Sequence, residues 1–220
     1  MMGLRKHRVN HIIQTLIYAD LLFFLAVGLV TPIVAVFYVN HINGGNVAMV
    51  GLVTALFWLV KSVVQIPVSL YADNHKGERD DYLLMVIGYV IIAVVPMIYA
   101  LWVGEMWQVF LVETLHGIGY GLAIPTYLSI FTRHIDRQRE NFEWMLHSNA
   151  VGLSYAAAAA IGGVLANQFG FRLMFMATSA FMFLAPIALL FIRNDIRRSD
   201  SLINPDPETG LQREKLPFIN

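Results

Sequence analysis

Long apolar runs, separated by short polar segments, occupy most of the 220-residue chain. A hydrocarbon core about 30 Å thick requires roughly 20 mostly apolar residues in each crossing helix. Helices in the cores of water-soluble proteins are usually shorter and have a polar face, whereas these runs are apolar nearly all round. The pattern therefore predicts an all-α, polytopic membrane protein with six transmembrane helices, here called spans 1 to 6, at 12–38, 47–70, 82–103, 106–131, 150–166 and 173–192.

The Lys and Arg residues lie almost entirely on one side of the predicted spans. They precede span 1, follow spans 2, 4 and 6, and leave only Arg172 on the opposite side and Lys61 within a span. Basic loops stay in the cytoplasm, so both termini are predicted to be cytoplasmic. The first apolar run is too long for a cleaved signal peptide and is interpreted as an uncleaved span. The expected location is the cytoplasmic (inner) membrane, with the chain crossing it several times.

Composition narrows the chemistry further. Hydrophobic residues make up 57% of the chain and charged residues 14%, there is no Cys, and the formal net charge is +0. These values exclude disulfides and give no indication of a nucleic-acid partner. The His residues are scattered, without metal-ligand spacing, and neither a nucleophile motif nor a phosphate-binding glycine loop is present. We therefore expect a protein that is not an enzyme and has neither cofactor nor metal.

The predicted organisation is a membrane domain over 1–193 and a polar, flexible cytoplasmic tail over 194–220. An internal repeat divides the membrane domain, because 28–32 in span 1 resembles 121–125 in span 4, and 50–52 in span 2 resembles 151–153 in span 5. Successive spans alternate in direction, so the two three-helix repeats, at about 11–103 and 106–192, have inverted topology. The matched prolines, Pro32 and Pro125, are predicted to act as helix hinges.

Ionisable side chains inside the spans mark the expected solute and ion pathway. A charge in hydrocarbon is costly unless it is paired or hydrated, so such residues usually face a cavity. Asp20 and Glu113 each lie twelve residues before a matched proline, and Lys61 falls near the middle of span 2. Helical spacing puts Gln65 on the face of Lys61, and His116 and Tyr120 on the face of Glu113. Two interpretations stay open. The first is a proton or cation relay, with Lys61 as a counter-charge or as a binder of anionic solute. The second is a static ion pair of Lys61 with Asp20 or Glu113, or an Asp20 that reaches the inner interface.

Three stretches resemble the major facilitator superfamily of transporters over roughly 11–192. They are the loop at 69–79, the glycine-rich pattern at 115–125, and the segment from 161 to 175. The resemblance is to the N-terminal six helices of that fold and implies that Asp73, with Lys76 and Arg79, latches the inner gate. Two departures matter: Ser69 stands where the loop pattern usually has Gly, and Glu113 stands where the helix 4 pattern usually has Arg. The family's Arg-based proton coupling is therefore not carried over.

The resemblance covers one six-helix half of a fold that normally has two such halves. It implies a half-length secondary transporter of a small solute, with proton coupling as one option, which completes its cavity as a homodimer or with a second six-helix chain. The lipid bilayer is the other expected partner. The alternative function is a non-transporting membrane module, such as a partner half, a scaffold or a truncated remnant.

Overall fold

The computed structural model describes residues 10–74, 77–136 and 139–203, with side chains as far as 198. Within these ranges the chain forms eight α-helices and one short 3-10 helix at Leu190–Ile192. The α-helices are α1 (His11–Val30), α2 (Val34–His41), α3 (Val47–Asn74), α4 (Arg79–Leu101), α5 (Met106–His134), α6 (Glu140–Met182), α7 (Leu184–Leu189) and α8 (Arg193–Ile203).

The helix boundaries differ from the predicted spans in two places. Span 1 is broken into α1 and α2 by a turn at 31–33, where Pro32 has no N–H to continue the helical hydrogen bonds. The predicted outer loop before span 6 is a kink within α6, where Gly170 has φ 80° and ψ 162°. A positive φ of this kind favours glycine, which has no Cβ, so one residue replaces a loop. The polar tail also begins as a helix, α8, while residues 204–220 lie outside the described part.

Four helical stretches are long and apolar enough to cross a membrane: His11–His41, Val47–Asn74, Arg79–Leu101 and Glu140–Arg198. The last of these contains predicted spans 5 and 6, on either side of Gly170. Helix α5 has 29 residues but is not among the four, and it carries polar side chains such as Gln108, Glu113 and His116 within the bilayer-length segment. The all-helical membrane class is thus confirmed, whereas the number of six spans, their orientation and the repeat stay predictions.

Glycines set the closest approaches between helices, as is usual in membrane proteins. In the first contact surface, which we call the α1–α6 seam, Gly28 and Leu29 of α1 meet Ala158 and Gly162 of α6. A Cβ built on Gly162 would lie 2.1 Å from the carbonyl oxygen of Leu29, so no larger residue fits without moving α1. This seam joins α1 to the part of α6 that precedes Gly170.

The second contact surface, the α3–α5 seam, is formed where Gly117 and Gly121 of α5 meet Val60 and Val64 of α3. Helix α4 packs against α5 on its other side and against α6. Hydrogen bonds fix α4 to the later part of the chain, because Ser179 donates to the carbonyl of Ala93 at 2.6 Å. Helix α3 is the least covered, since only Val53 and Ala72 of its 28 residues are buried.

Candidate functional site

A cavity of about 340 Å³ lies between α3, α5 and the neighbouring helices. Four of the predicted pathway residues line it together: Lys61, Glu113, His116 and Tyr120. Most of the remaining wall is apolar or aromatic and comes from α1, α2, α3, α4 and α6. The cavity thus combines a few ionisable groups with an apolar surface, which is the usual make-up of a small-molecule site.

Glu113 has the most hydrogen-bond partners of the ionisable groups that line this cavity, and it is only 8% exposed. The phenols of Tyr99 and Tyr38 both donate to its Oε1, at 2.8 and 3.1 Å. The Nδ1 of His116 lies 3.0 Å from Oε2, and the two phenol oxygens lie 2.8 Å apart. Hydrogen bonds to a buried carboxylate compensate for its lost hydration, so Glu113 has polar partners on both oxygens.

Lys61 has no such partner. Its Nζ lies 4.2 Å from the ring centroid of Trp58 and 5.9 Å from that of Tyr120, which are cation–π distances. Among the described residues, no ion pair includes Lys61. The predicted static pair of Lys61 with Asp20 or Glu113 is therefore not formed in this structure. The ammonium instead lies at the cavity wall, beside the rings of Trp58 and Tyr120.

Asp20 lies away from the cavity, packed between α1, α4 and α6, and is only 4% exposed. The phenol of Tyr89 donates to its Oδ1, and the Nε2 of His147 lies 2.7 Å from its Oδ2. The ring of Tyr127 lies 5.6 Å from that of His147, which helps to close the pocket around the pair. Asp20 and Glu113 thus share a tyrosine and histidine environment, but Asp20 lines none of the three described cavities.

The remaining predicted residues divide between two other cavities. Gln65 and Asp73 line a cavity of about 410 Å³ with Pro125 and Arg133, so Gln65 does not share the cavity of Lys61. Arg79 lines a third cavity of about 270 Å³, beside Arg193 and Arg197. Lys76 lies outside the described residues. No ion pair joins Asp73 to Arg79 among the described residues, and the three-residue gate stays a prediction.

The two predicted hinges differ in their surroundings. Pro32 lies in the turn between α1 and α2, and Pro125 lies within the continuous helix α5. The amides around the break remain bonded, because the N–H of Ile33 donates to Val30 and that of Phe37 to Ile33. These contacts describe one conformation, so the role of Pro32 and Pro125 as hinges stays a prediction.

A polar network at the ends of α4 and α5 was missed by sequence reasoning. The Nη1 of Arg133 lies 2.7 Å from Oδ2 of Asp81, and its Nη2 donates to the carbonyl of Ala72 at 2.9 Å. Nearby, the Nε2 of His134 lies 3.6 Å from Oε2 of Glu78. The sequence did carry a signal for this network. Acidic residues lie in the first turn of α4 and basic residues in the last turn of α5, and these two turns are neighbours because the helices are antiparallel. Tyr38 and Tyr99 gave no signal, since aromatic residues within an apolar run look like packing, and His147 lies outside the predicted spans.

No group of three or more His, Asp or Glu side chains suited to a metal ion occurs in the described part of the chain. The arrangement is that of a helical membrane protein with an ionisable, mostly apolar cavity. A family model described as Major Facilitator Superfamily matches residues 16–218. The chain therefore belongs to the Major Facilitator Superfamily, whose members are membrane transporters. No curated protein matches the chain.

Proposed function

We propose that this chain is a secondary active transporter of a small solute, working by alternating access as a homodimer of half-transporters in the cytoplasmic membrane. Membership of the Major Facilitator Superfamily supports membrane transport in general. Its 220 residues are consistent with one half of such a transporter. The cavity of Lys61 and Glu113 is the proposed solute site.

One observation carries the proposal of a second half. Lys61 is half-buried on α3, whose surface is the least covered of the long helices. Beside Lys61 on that surface, Trp58 is 55% exposed. A charged side chain well inside a span faces protein or water rather than lipid. A second six-helix unit placed over α3 would cover the cavity margin, and in a two-fold homodimer it would bring a second Lys61 and Glu113.

The packing supports the proposed inverted repeat. Under that repeat, span 1 corresponds to span 4, and span 5 to span 2. Gly28 of span 1 packs against span 5 and Gly121 of span 4 packs against span 2, as the correspondence requires. The two carboxylates at matching positions, Asp20 and Glu113, both contact a tyrosine and a histidine. Inverted repeats of this kind build alternating access in other transporters.

In the proposed mechanism, Glu113 and His116 exchange a proton as the solute binds and leaves. Their contact of 3.0 Å is within hydrogen-bond reach, and both groups line the solute cavity. At the inner side, Asp73, Lys76 and Arg79 are proposed to latch the gate, with Pro32 and Pro125 as the hinges. The Arg133–Asp81 pair holds α4 to α5 at that end.

The test is uptake and efflux by purified protein in proteoliposomes, across a panel of small solutes, with and without a pH gradient. We expect gradient-dependent movement of at least one solute and its loss in Glu113→Gln, which keeps the side-chain shape but cannot ionise. Asp195→Asn, at an exposed carboxylate, is the matched control and should retain uptake. Undiminished gradient-driven uptake by Glu113→Gln would contradict the relay.

The alternative function is a non-transporting membrane module. The departure of the loop at 69–79 from the family pattern favours it, because Ser69 stands where that pattern usually has Gly. A size measurement in native-membrane particles discriminates between the two functions. The transporter proposal expects a dimer or a complex with a second six-helix chain, and a strict monomer without a partner would argue for the module.

A further inference from the structure

Two hydrogen-bond donors of the cavity lack an acceptor. Among the described residues, neither the ammonium of Lys61 nor the phenol of Tyr120 has a hydrogen-bond partner, although both line the cavity. The Lys61 Nζ lies 5.9 Å from the ring centroid of Tyr120, so the two side chains border the same part of the cavity. Both residues are partly exposed, so both donors are open to an acceptor on a bound ligand.

The carboxylate in the cavity, by contrast, already has protein partners. Tyr38 and Tyr99 donate to Oε1 of Glu113, and His116 contacts Oε2. A cationic ligand would share this carboxylate with three protein groups, and it would also meet the like charge of Lys61. An anionic group at Lys61 and Tyr120 meets donors that have no protein partner. The charges of Lys61 and Glu113 offset each other, but only Lys61 lacks a partner, which favours an anion over a cation.

The rest of the wall restricts the body of the ligand. Apolar and aromatic side chains from several helices, among them Val30, Phe57, Val95 and Phe175, surround the cavity of about 340 Å³. Such a surface binds an apolar or aromatic body and offers little to a sugar, which needs many hydrogen-bond partners. The volume suits a molecule with one acidic head and a body of about one ring with a short chain.

We infer that the solute is an organic anion, with its carboxylate bound by Lys61 and Tyr120 and its apolar body packed against Phe57 and Phe175. This inference rests on the proposed function for the assignment of the cavity as a solute site. It adds the chemical class of the solute and the residues that select it.

The experiment is equilibrium binding to the purified full chain, followed by tryptophan fluorescence because Trp58 lies beside Lys61. The probes are acetate, benzoate and 4-phenylbutyrate, with 4-phenylbutyramide and 4-phenylbutylamine as neutral and cationic analogues of the largest acid. We expect 4-phenylbutyrate to bind most tightly and both analogues to bind at least about tenfold more weakly, the usual worth of a hydrogen bond to a charged group.

Variants assign the selectivity to named groups. Lys61→Gln should weaken 4-phenylbutyrate binding about tenfold or more, while the amide is unaffected, and Lys61→Arg should retain a preference for the acid. Tyr120→Phe should cause a smaller loss, about three- to tenfold, because it removes one neutral donor. Arg172→Gln removes a cation outside the cavity and should leave binding unchanged. Elution volume and melting temperature show that each variant is folded.

The outcomes separate this inference from transport itself. Equal binding of the acid and its analogues, no binding of any of the three acids, or an unchanged affinity in folded Lys61→Gln would overturn the inference. Binding of the acid without uptake in proteoliposomes would contradict the proposed transport and leave the ligand class standing. Uptake of an amine or a neutral solute, without binding of the acids, would contradict only the ligand class.

Discussion

The α1–α6 seam and the α3–α5 seam are both closed by glycines, but their residues differ in whether they line the described cavities. Asp20, Gly28, His147 and Gly162 line none of the three described cavities. By contrast, the cavities of about 340 and 410 Å³ are both lined by residues of α3 and α5. The first seam is therefore a packing surface, and the second is the candidate working surface.

The difference shows that burial alone does not identify a functional carboxylate. Asp20 and Glu113 have matching positions in the predicted repeat, similar partners and similarly low exposure. Of the two, Glu113 lines the cavity of about 340 Å³, and Asp20 lines none of the three described cavities. We therefore interpret Asp20 as a polar contact that fastens α1 to α4 and α6 in a medium where unsatisfied groups are costly, and its place in the pathway stays a prediction.

The largest effect should come from removing the polar contact of the α1–α6 seam. Asp20→Ala leaves Tyr89 and His147 without their shared acceptor, at a cost of about 1–3 kcal/mol for each unpaired group. Asp195→Ala is the matched control, because Asp195 also pairs with a histidine, His11 at 3.1 Å, but both side chains are exposed. An exposed pair contributes about 0–1 kcal/mol. Unfolding in detergent measures both variants, and equal losses would contradict the assignment of Asp20 to packing.

A smaller effect is expected from the glycine of the same seam. Gly162→Ala places a Cβ against the backbone of Leu29 and should destabilise the fold by about 1–3 kcal/mol. The next residue gives the control, because a Cβ on Gly163 meets nothing within 4 Å. Gly163→Ala should be neutral or slightly stabilising, since Ala favours a helix by about 1 kcal/mol over Gly. Melting temperatures that fall equally in the two variants would show that the close approach at Gly162 is not required.

Much of the architecture could be predicted from the sequence, because bilayer thickness imposes a run length that hydropathy makes visible. The polar residues within those runs also located four members of one cavity: Lys61, Glu113, His116 and Tyr120. Helical periodicity placed His116 beside Glu113, and the structure has them 3.0 Å apart. These predictions concern single helices, where local spacing is enough.

The omissions concern contacts between helices. Spacing along α3 puts Gln65 one turn from Lys61, although the two residues line different cavities. Apart from His116, the partners of Asp20 and Glu113 come from α2, α4 and α6, at sequence separations of up to 127 residues, where periodicity carries no information. In the sequence, Tyr38 and Tyr99 are ordinary members of apolar runs. Their role as hydrogen-bond donors appears only when packing brings the carboxylate of Glu113 beside them. Sequence periodicity therefore does not predict a contact when tertiary packing brings the two residues together from different helices.

The smallest effect should come from the cation–π contact on the α3–α5 seam. In a double-mutant cycle of Lys61→Met and Trp58→Leu, we expect a coupling free energy of about 0.5–1 kcal/mol, the range for a cation beside an exposed aromatic ring. Trp102→Leu supplies the control, because Trp102 is similarly exposed but contacts Trp107 rather than a cation. Its coupling to Lys61→Met should be zero within error. A coupling at Trp58 no larger than at Trp102 would mean that the ammonium does not rest on the ring. The contrast between a packed seam and one that holds an available charge would then lose its main support.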